Sequence, residues 1–288
     1  MPTLSNEGIL ITGGSSGIGK AVAYACVRAG ADITVCARSA RDLQTAQGEW
    51  EKVKAPHQKI ITQAADVSNR TDVAAVVSRA ISEMSRFTGL VNCAGILGPM
   101  GALDQIDFDR WIEAIQINLI GTAQLCRAVL PHFRRQHYGK IINFSGGGAT
   151  APRPRFSAYA ASKAAIVRFT ENLAEELKDT GIDVNAVAPG AVNTRMLQEV
   201  LKAAPEQVGP AIYNDALRQK ERGGTPPEKA ADLCVTLLSA ESDGLTGRLL
   251  SAVWDPWPSL SQWKDKLAAT DVYTLRRIVP EDRYIILG

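Results

Sequence analysis

The chain is 288 residues long and 45% hydrophobic, enough to bury one large core or two small ones. Its formal net charge is only +2 and no run of Lys or Arg is longer than two, which excludes the clustered basic face that a nucleic-acid partner needs. No stretch reaches the apolar length of a bilayer span, so a soluble, cytoplasmic protein without a membrane partner is expected.

In chain order, residues 8–11 (GILI) read as a strand, TGGSSGIG (12–19) follows at once, and KAVAYACVRAG (20–30) has helical periodicity. Strand, glycine turn and helix in that order are the context in which a phosphate-binding loop is worth believing. Gly13 can take backbone angles closed to other residues, while Gly17 and Gly19 let a pyrophosphate and the strand come close to the helix start. The N–H groups of the first helical turn then point at the phosphates.

The alternation continues with a strand at 32–37, a helix at 40–54, a strand at 59–66, a helix at 70–86, and a strand and loop at 90–95. One long helix from about 108 to 135, a strand at 140–145, a helix at 157–180 and a strand at 182–190 complete the series. This interval implies parallel βαβ crossovers, hence an α/β protein with a Rossmann-like, doubly wound parallel sheet in three α/β/α layers. In such sheets ligands sit beyond the carboxyl ends of the strands, and Asp66, Asn92 to Gly95, Ser145 and Pro189-Gly190 all fall there. The five cysteines (Cys26, Cys36, Cys93, Cys126, Cys234) are widely spaced without a Cys-x-x-Cys pair and read as buried free thiols in a reducing compartment. His57, His132 and His137 show no metal-ligand spacing, so no metal is expected.

The stretch SGGGATAPRPRFSAYAASK (145–163) carries the chemistry. Tyr159 and Lys163 are four apart in a helical run and share one face. A phenol of pKa near ~10 is a poor acid or base at neutral pH, and a fixed cation beside it moves it toward the working range. Ser145, just after a strand, can hydrogen-bond the same substrate oxygen.

Taken together, TGGSSGIG (12–19), Asp66-Val67, Asn92-Cys93-Ala94-Gly95, Asn118, Ser145, Tyr159-x-x-x-Lys163 and Pro189-Gly190-x-x-x-Thr194 resemble the short-chain dehydrogenase/reductase family, over residues 8 to about 250. The resemblance implies a single domain over 1–253 holding both cofactor and substrate sites, and hydride transfer between a nicotinamide and a carbonyl or secondary alcohol. It implies Tyr159 as general acid or base, Ser145 as the hydroxyl that holds the substrate oxygen, and Lys163 as the cation that lowers the phenol pKa and bonds the nicotinamide ribose. Asn118 is implied in a local helix distortion, holding a water in a proton relay. For the cofactor it implies the loop Gly13, Ser15, Ser16, Gly17, Ile18 and Gly19, then Asp66 and Val67 at the adenine. Asn92, Ala94 and Gly95 would line the cleft, and Pro189, Gly190, Val192 and Thr194 would hold the carboxamide.

NAD-preferring relatives carry an acidic residue after the second strand; here Ala37 is followed by Arg38 and Ser39, so NADP(H) is expected and NAD(H) remains possible. Relatives also imply a homodimer or homotetramer. A 3-oxoacyl thioester reductase and a sugar or polyol dehydrogenase both stay open as activities. A non-catalytic NADP(H) sensor or scaffold is the competing class, disfavoured by the intact Asn118, Ser145, Tyr159 and Lys163.

Three regions depart from the pattern. Residues 195–225, where relatives carry a mobile lid, offer Met196, Leu197 and Tyr213 as pocket lining and Gly209, Pro210, Gly223 and Gly224 as hinges. Arg153 and Arg155, held between prolines just before Tyr159, can bind a carboxylate, a phosphate or a carrier group, or can simply be solvated. The tail 254–288 holds Trp254, Trp257, Trp263 and Tyr273 and a helix at 259–268. That much aromatic area is expected to pack, on the domain or a neighbouring subunit, or over a substrate pocket with Arg276 and Arg277 facing an anion.

Overall fold

A computed structural model describes residues 2–285. Seven strands build the sheet: β1 (Gly8–Thr12), β2 (Asp32–Ala37), β3 (Ile60–Ala64), β4 (Phe87–Asn92), β5 (Gly139–Phe144), β6 (Ile182–Ala188) and β7 (Leu249–Ser251). Their order is β3-β2-β1-β4-β5-β6-β7 and every pair is parallel. Chain order therefore runs outward from β1 to one edge, returns, and runs outward from β4 to the other, which opens a crevice above β1 and β4.

Alternation along the strands feeds two cores. Ile9, Ile11, Ile33 and Val35 point to one face, where α1 (Gly17–Arg28), α2 (Ala40–Trp50) and α10 (Pro227–Leu238) cover them. Leu10, Cys36 and Leu90 point to the other, under α3 (Arg70–Glu83), α5 (Gly121–Gln136) and α6 (Ser157–Glu176). This is the expected three-layer α/β/α sandwich. Cys26, Cys36, Cys126 and Cys234 are buried and all five cysteines are free. Among the described residues no group of His, Cys, Asp or Glu could hold a metal, and no helix is long and apolar enough to cross a membrane.

Boundaries moved where local chemistry overrode periodicity. The long helix expected over 108–135 is three pieces: α4 (Phe108–Ile115), a π-helical turn at Gln116–Ile120, and α5. The helices expected to end at 54, 86 and 180 stop at Trp50, Glu83 and Glu176, and the tail helix is a 3-10 turn (Trp257–Gln262) followed by α11 (Lys264–Ala268). Residues 195–225 form α7 (Arg195–Lys202), α8 (Pro205–Val208) and α9 (Pro210–Arg222). Helix α10 was not anticipated, although Pro226-Pro227 before an apolar run is a helix-start signal.

The tail lies on its own chain. Leu260 and Leu267 are buried in the core beneath α1 and α10, with Trp257, Trp263 and Tyr273 packed against it, whereas Trp254 is 84% exposed. The buried Arg248 donates to the carbonyls of Leu267 (2.7 Å), Thr270 (2.8 Å) and Val272 (3.0 Å), and Leu249 N donates to Tyr273 O at 2.8 Å. Arg276 pairs with Asp271 and Asp282 of the tail itself.

Candidate active site

The loop from β1 into α1 is built so tightly that its glycines are required. Gly13 has φ +65°, and a Cβ there would stand 2.7 Å from Ala94 Cα; a Cβ on Gly19 would stand 2.5 Å from the Gly13 carbonyl. Thr12 Oγ1 accepts from Cys93 N (3.1 Å) and Ala94 N (3.2 Å), tying this loop to the one after β4. Gly17 (φ +54°) faces Thr194, at the start of α7. Ser15 is half-buried, Ser16 exposed, and Ile18 packs on the core below. The α1 N-terminus has no side-chain cap on Ser16 and no acidic residue in its first turn, so its N–H groups face the crevice with their partial positive charge unopposed. A glycine cradle under an uncapped helix start fits a dinucleotide pyrophosphate.

The other expected cofactor positions line the same edge. Arg38 is exposed beyond β2, and Ser39 caps α2 by accepting from Asp42 N at 3.2 Å. Asp66 accepts from Ser68 N (2.8 Å) and Ser68 Oγ (2.7 Å). Burial pushes its carboxyl up, but those two bonds and the Arg38 guanidinium outweigh it and hold the pKa below the usual carboxylate range. Val67 is buried against Gly121. Pro189 is buried, Gly190 has φ +84°, Val192 bridges Thr225, and Thr194 precedes α7. Asn92 differs: its amide donates to Asn143 Oδ1 (2.9 Å), whose own amide donates to Thr170 Oγ1 (2.9 Å), so the side chain joins β4, β5 and α6 inside the sheet.

The chemical groups converge above β4 and β5. Tyr159 is 8% exposed and Lys163 4%, and the Lys163 Nζ lies 5.7 Å from the phenol ring centroid while donating to Phe144 O at 2.8 Å. Ser145 directly follows β5 and is buried, and its Oγ has no hydrogen-bond partner among the described residues. Asn118 is fully buried in the π-helical turn; its Oδ1 accepts from Ile96 N (2.8 Å) and its Nδ2 donates to Ile96 O (2.9 Å) and Ser162 Oγ (3.0 Å). Those bonds explain the broken helix, because the extra residue in the turn aims Asn118 at the loop after β4. Gly95 sits where a Cβ would be 3.1 Å from Asn118 Oδ1 and 3.7 Å from Lys163 Nζ.

Two residues were not singled out in advance. Ser162 links Asn118 to the Tyr159 carbonyl by donating to it at 2.7 Å. Gly146 abuts the phenol so closely that any Cβ there would overlap the Tyr159 hydroxyl. Its signal was the run of three glycines after Ser145.

Burial pushes the Lys163 ammonium down to about 8. Burial also pushes the Tyr159 phenol up, and the Arg153 guanidinium pulls the other way. Helices α7 to α9 roof the pocket: Val200, Val208 and Ala216 are buried with Leu97, Phe156 and Tyr159, and Met196, Leu197 and Tyr213 pack around them. Arg155 donates to Glu206 O (2.7 Å) and Gln207 O (3.2 Å), fastening this roof to the loop before α6. Beside that fastening a cleft of about 720 Å³ opens, lined by Met100, Arg110, Lys202 and Glu206 among others.

Comparison with known proteins gives consistent matches. A family model described as short chain dehydrogenase matches residues 7–205. A short chain dehydrogenase of Pseudocercospora fijiensis is 35% identical over 268 residues, covering 90% of this chain and 84% of the relative. The 2,3-dihydro-2,3-dihydroxybenzoate dehydrogenase of Escherichia coli is 32% identical, covering 83% and 91%. Among solved structures, an actinorhodin polyketide ketoreductase with NADPH superposes with a TM-score of 0.77 at 27% identity, covering 87% of this chain and 97% of that one.

Proposed function

The chain belongs to the short chain dehydrogenase family, and from that premise we propose that it is an NADP(H)-dependent oxidoreductase that reduces a carbonyl to a secondary alcohol or runs the reverse reaction, with Tyr159 handling the proton. The observation that carries this reading is the buried Ser145 hydroxyl, without a hydrogen-bond partner among the described residues, directly after β5 and beside the buried Tyr159–Lys163 pair. A buried hydroxyl left unbonded costs about 1–3 kcal/mol, a cost relieved when a substrate oxygen arrives.

The bound nicotinamide supplies or accepts the hydride. The protein's own part is to position and to move the proton. Ser145 orients the oxygen, Tyr159 gives it a proton in reduction and takes it in oxidation, and the Lys163 cation stabilises the phenolate. Gly13, Ser15, Ser16, Gly17, Ile18 and Gly19 receive the pyrophosphate at the uncapped start of α1. Asp66 and Val67 would border the adenine, Ala94 and Gly95 would line the cofactor cleft, and Pro189, Gly190, Val192 and Thr194 would hold the carboxamide. Arg38, with no acidic residue at the end of β2, meets a 2′-phosphate. The apolar side chains exposed along α4 and the π-helical turn, Phe108 (58%), Ile112 (49%) and Ile120 (37%), support a homodimer or homotetramer.

The test is a titration with NADPH and NADH, followed by turnover of a panel of ketones. Tyr159→Phe should lower turnover by about 10²–10⁴ or more while binding NADPH nearly as well as the wild type. Arg38→Ala should weaken NADPH far more than NADH. Full activity in the first variant refutes the proton role, and equal losses in the second move the 2′-phosphate elsewhere.

A further inference from the structure

The two arginines of the loop before α6 have separate fates. Arg155, at φ +69°, spends its guanidinium on the carbonyls of Glu206 and Gln207. Arg153 turns inward: its guanidinium lies over the Phe156 ring at 4.5 Å and over the Tyr159 ring at 5.8 Å, against Gly147. It is half-buried, and among the described residues no carboxylate and no carbonyl pairs with it. We propose that Arg153 is the specificity-determining residue of the pocket, and that the compound turned over is an oxo or hydroxy acid whose carboxylate pairs with this guanidinium.

The proposal rests on the function read above and adds the substrate class. A cation taken partly out of water is costly unless an anion and hydrogen bonds replace its hydration. Stacking on two aromatic rings offsets part of that and leaves the donors of the guanidinium unused. Burial correspondingly lowers the Arg153 pKa. A planar fork with free donors matches a carboxylate bidentately. Leu97, Phe156, Val200 and Val208 are buried around Tyr159, and among the described residues no Asp or Glu forms a salt bridge with Arg153. The guanidinium is near enough to the phenol that the carboxylate must sit only a few bonds from the reacting carbon.

The test uses 3-oxobutanoate and 4-oxopentanoate, each beside its methyl ester, with cyclohexanone as a neutral ketone. The wild type should favour at least one acid over its ester by tenfold or more in kcat/KM. Arg153→Ala should raise KM for that acid at least tenfold and bring acid and ester to parity, with the pH profile of kcat in place; Arg153→Lys should recover part of the preference. An acid-to-ester ratio that Arg153→Ala leaves alone overturns the proposal. So does a fall in kcat with a shifted pH profile that is the same for acid and ester, which would make Arg153 a tuner of the phenol. Cyclohexanone turnover lost in Tyr159→Phe tests the redox reading independently. If no carbonyl is turned over, calorimetry of 4-oxopentanoate with the oxidised dinucleotide present still decides: binding lost in Arg153→Ala supports the pairing, and no binding, or binding indifferent to Arg153, refutes it.

Discussion

At the scale of single residues, the space beside the Tyr159 phenol is as informative as the phenol. A methyl group at position 146 meets the movable end of the Tyr159 side chain, not backbone, so the fold can absorb it while the hydroxyl cannot stay in place. Gly146→Ala should therefore unfold within about 1 kcal/mol of the wild type in urea yet lose kcat by about 10²-fold, because a displacement near 1 Å suffices for that. Gly13→Ala should behave differently, since a Cβ there meets the Ala94 backbone and the residue sits at φ +65°. Lys163 adds a signed pH effect. Its ammonium is depressed to about 8 in the fold from an ordinary 10.5, so between those values the folded chain has released a proton that the unfolded chain keeps. Stability should rise with pH across that window relative to Lys163→Met, and chemical denaturation at pH 7.5 and 9.5 measures the difference.

At the scale of elements, the broken helix between α4 and α5 and the strapped tail each hang on one polar side chain. Asn118→Ala removes three hydrogen bonds and strands both backbone groups of Ile96, which should cost about 2–4 kcal/mol in urea unfolding. Arg248→Ala should free the tail, read as faster limited proteolysis within residues 254–285, because three carbonyls lose their donor. These elements also show what could and could not be read beforehand. The order of strands and helices was legible because apolar periodicity and turn residues are local; the Tyr159–Lys163 pair was legible because i+4 spacing on a helix is local too, and Ser145 because it directly follows a strand. The interruption at Asn118 is not periodic information: it depends on the backbone of Ile96, 22 residues away, and only the family resemblance flagged it. Likewise Arg153 and Arg155 are indistinguishable in sequence, and which of them meets the roof is decided by α8.

At the scale of the molecule, the interior holds weak acids that the unfolded chain exposes. Burial pushes the thiols of Cys26, Cys36 and Cys126 up to about 12 and raises Cys234 likewise. Above an ordinary thiol pKa of 9.0 the unfolded chain ionises them while the folded chain keeps their protons. Their contribution is thus fully present below pH 9 and is lost as pH climbs toward 12, so urea midpoints should fall progressively over that range and Cys26→Ala should flatten the decline. The roof has a comparable reach. Tyr159 is a member of the small core under α7 to α9, and it is this burial that raises its pKa. By thermodynamic reciprocity, whatever shuts the roof favours the protonated phenol, and whatever ionises the phenol favours lifting it. A shut roof therefore holds the phenol in its protonated form.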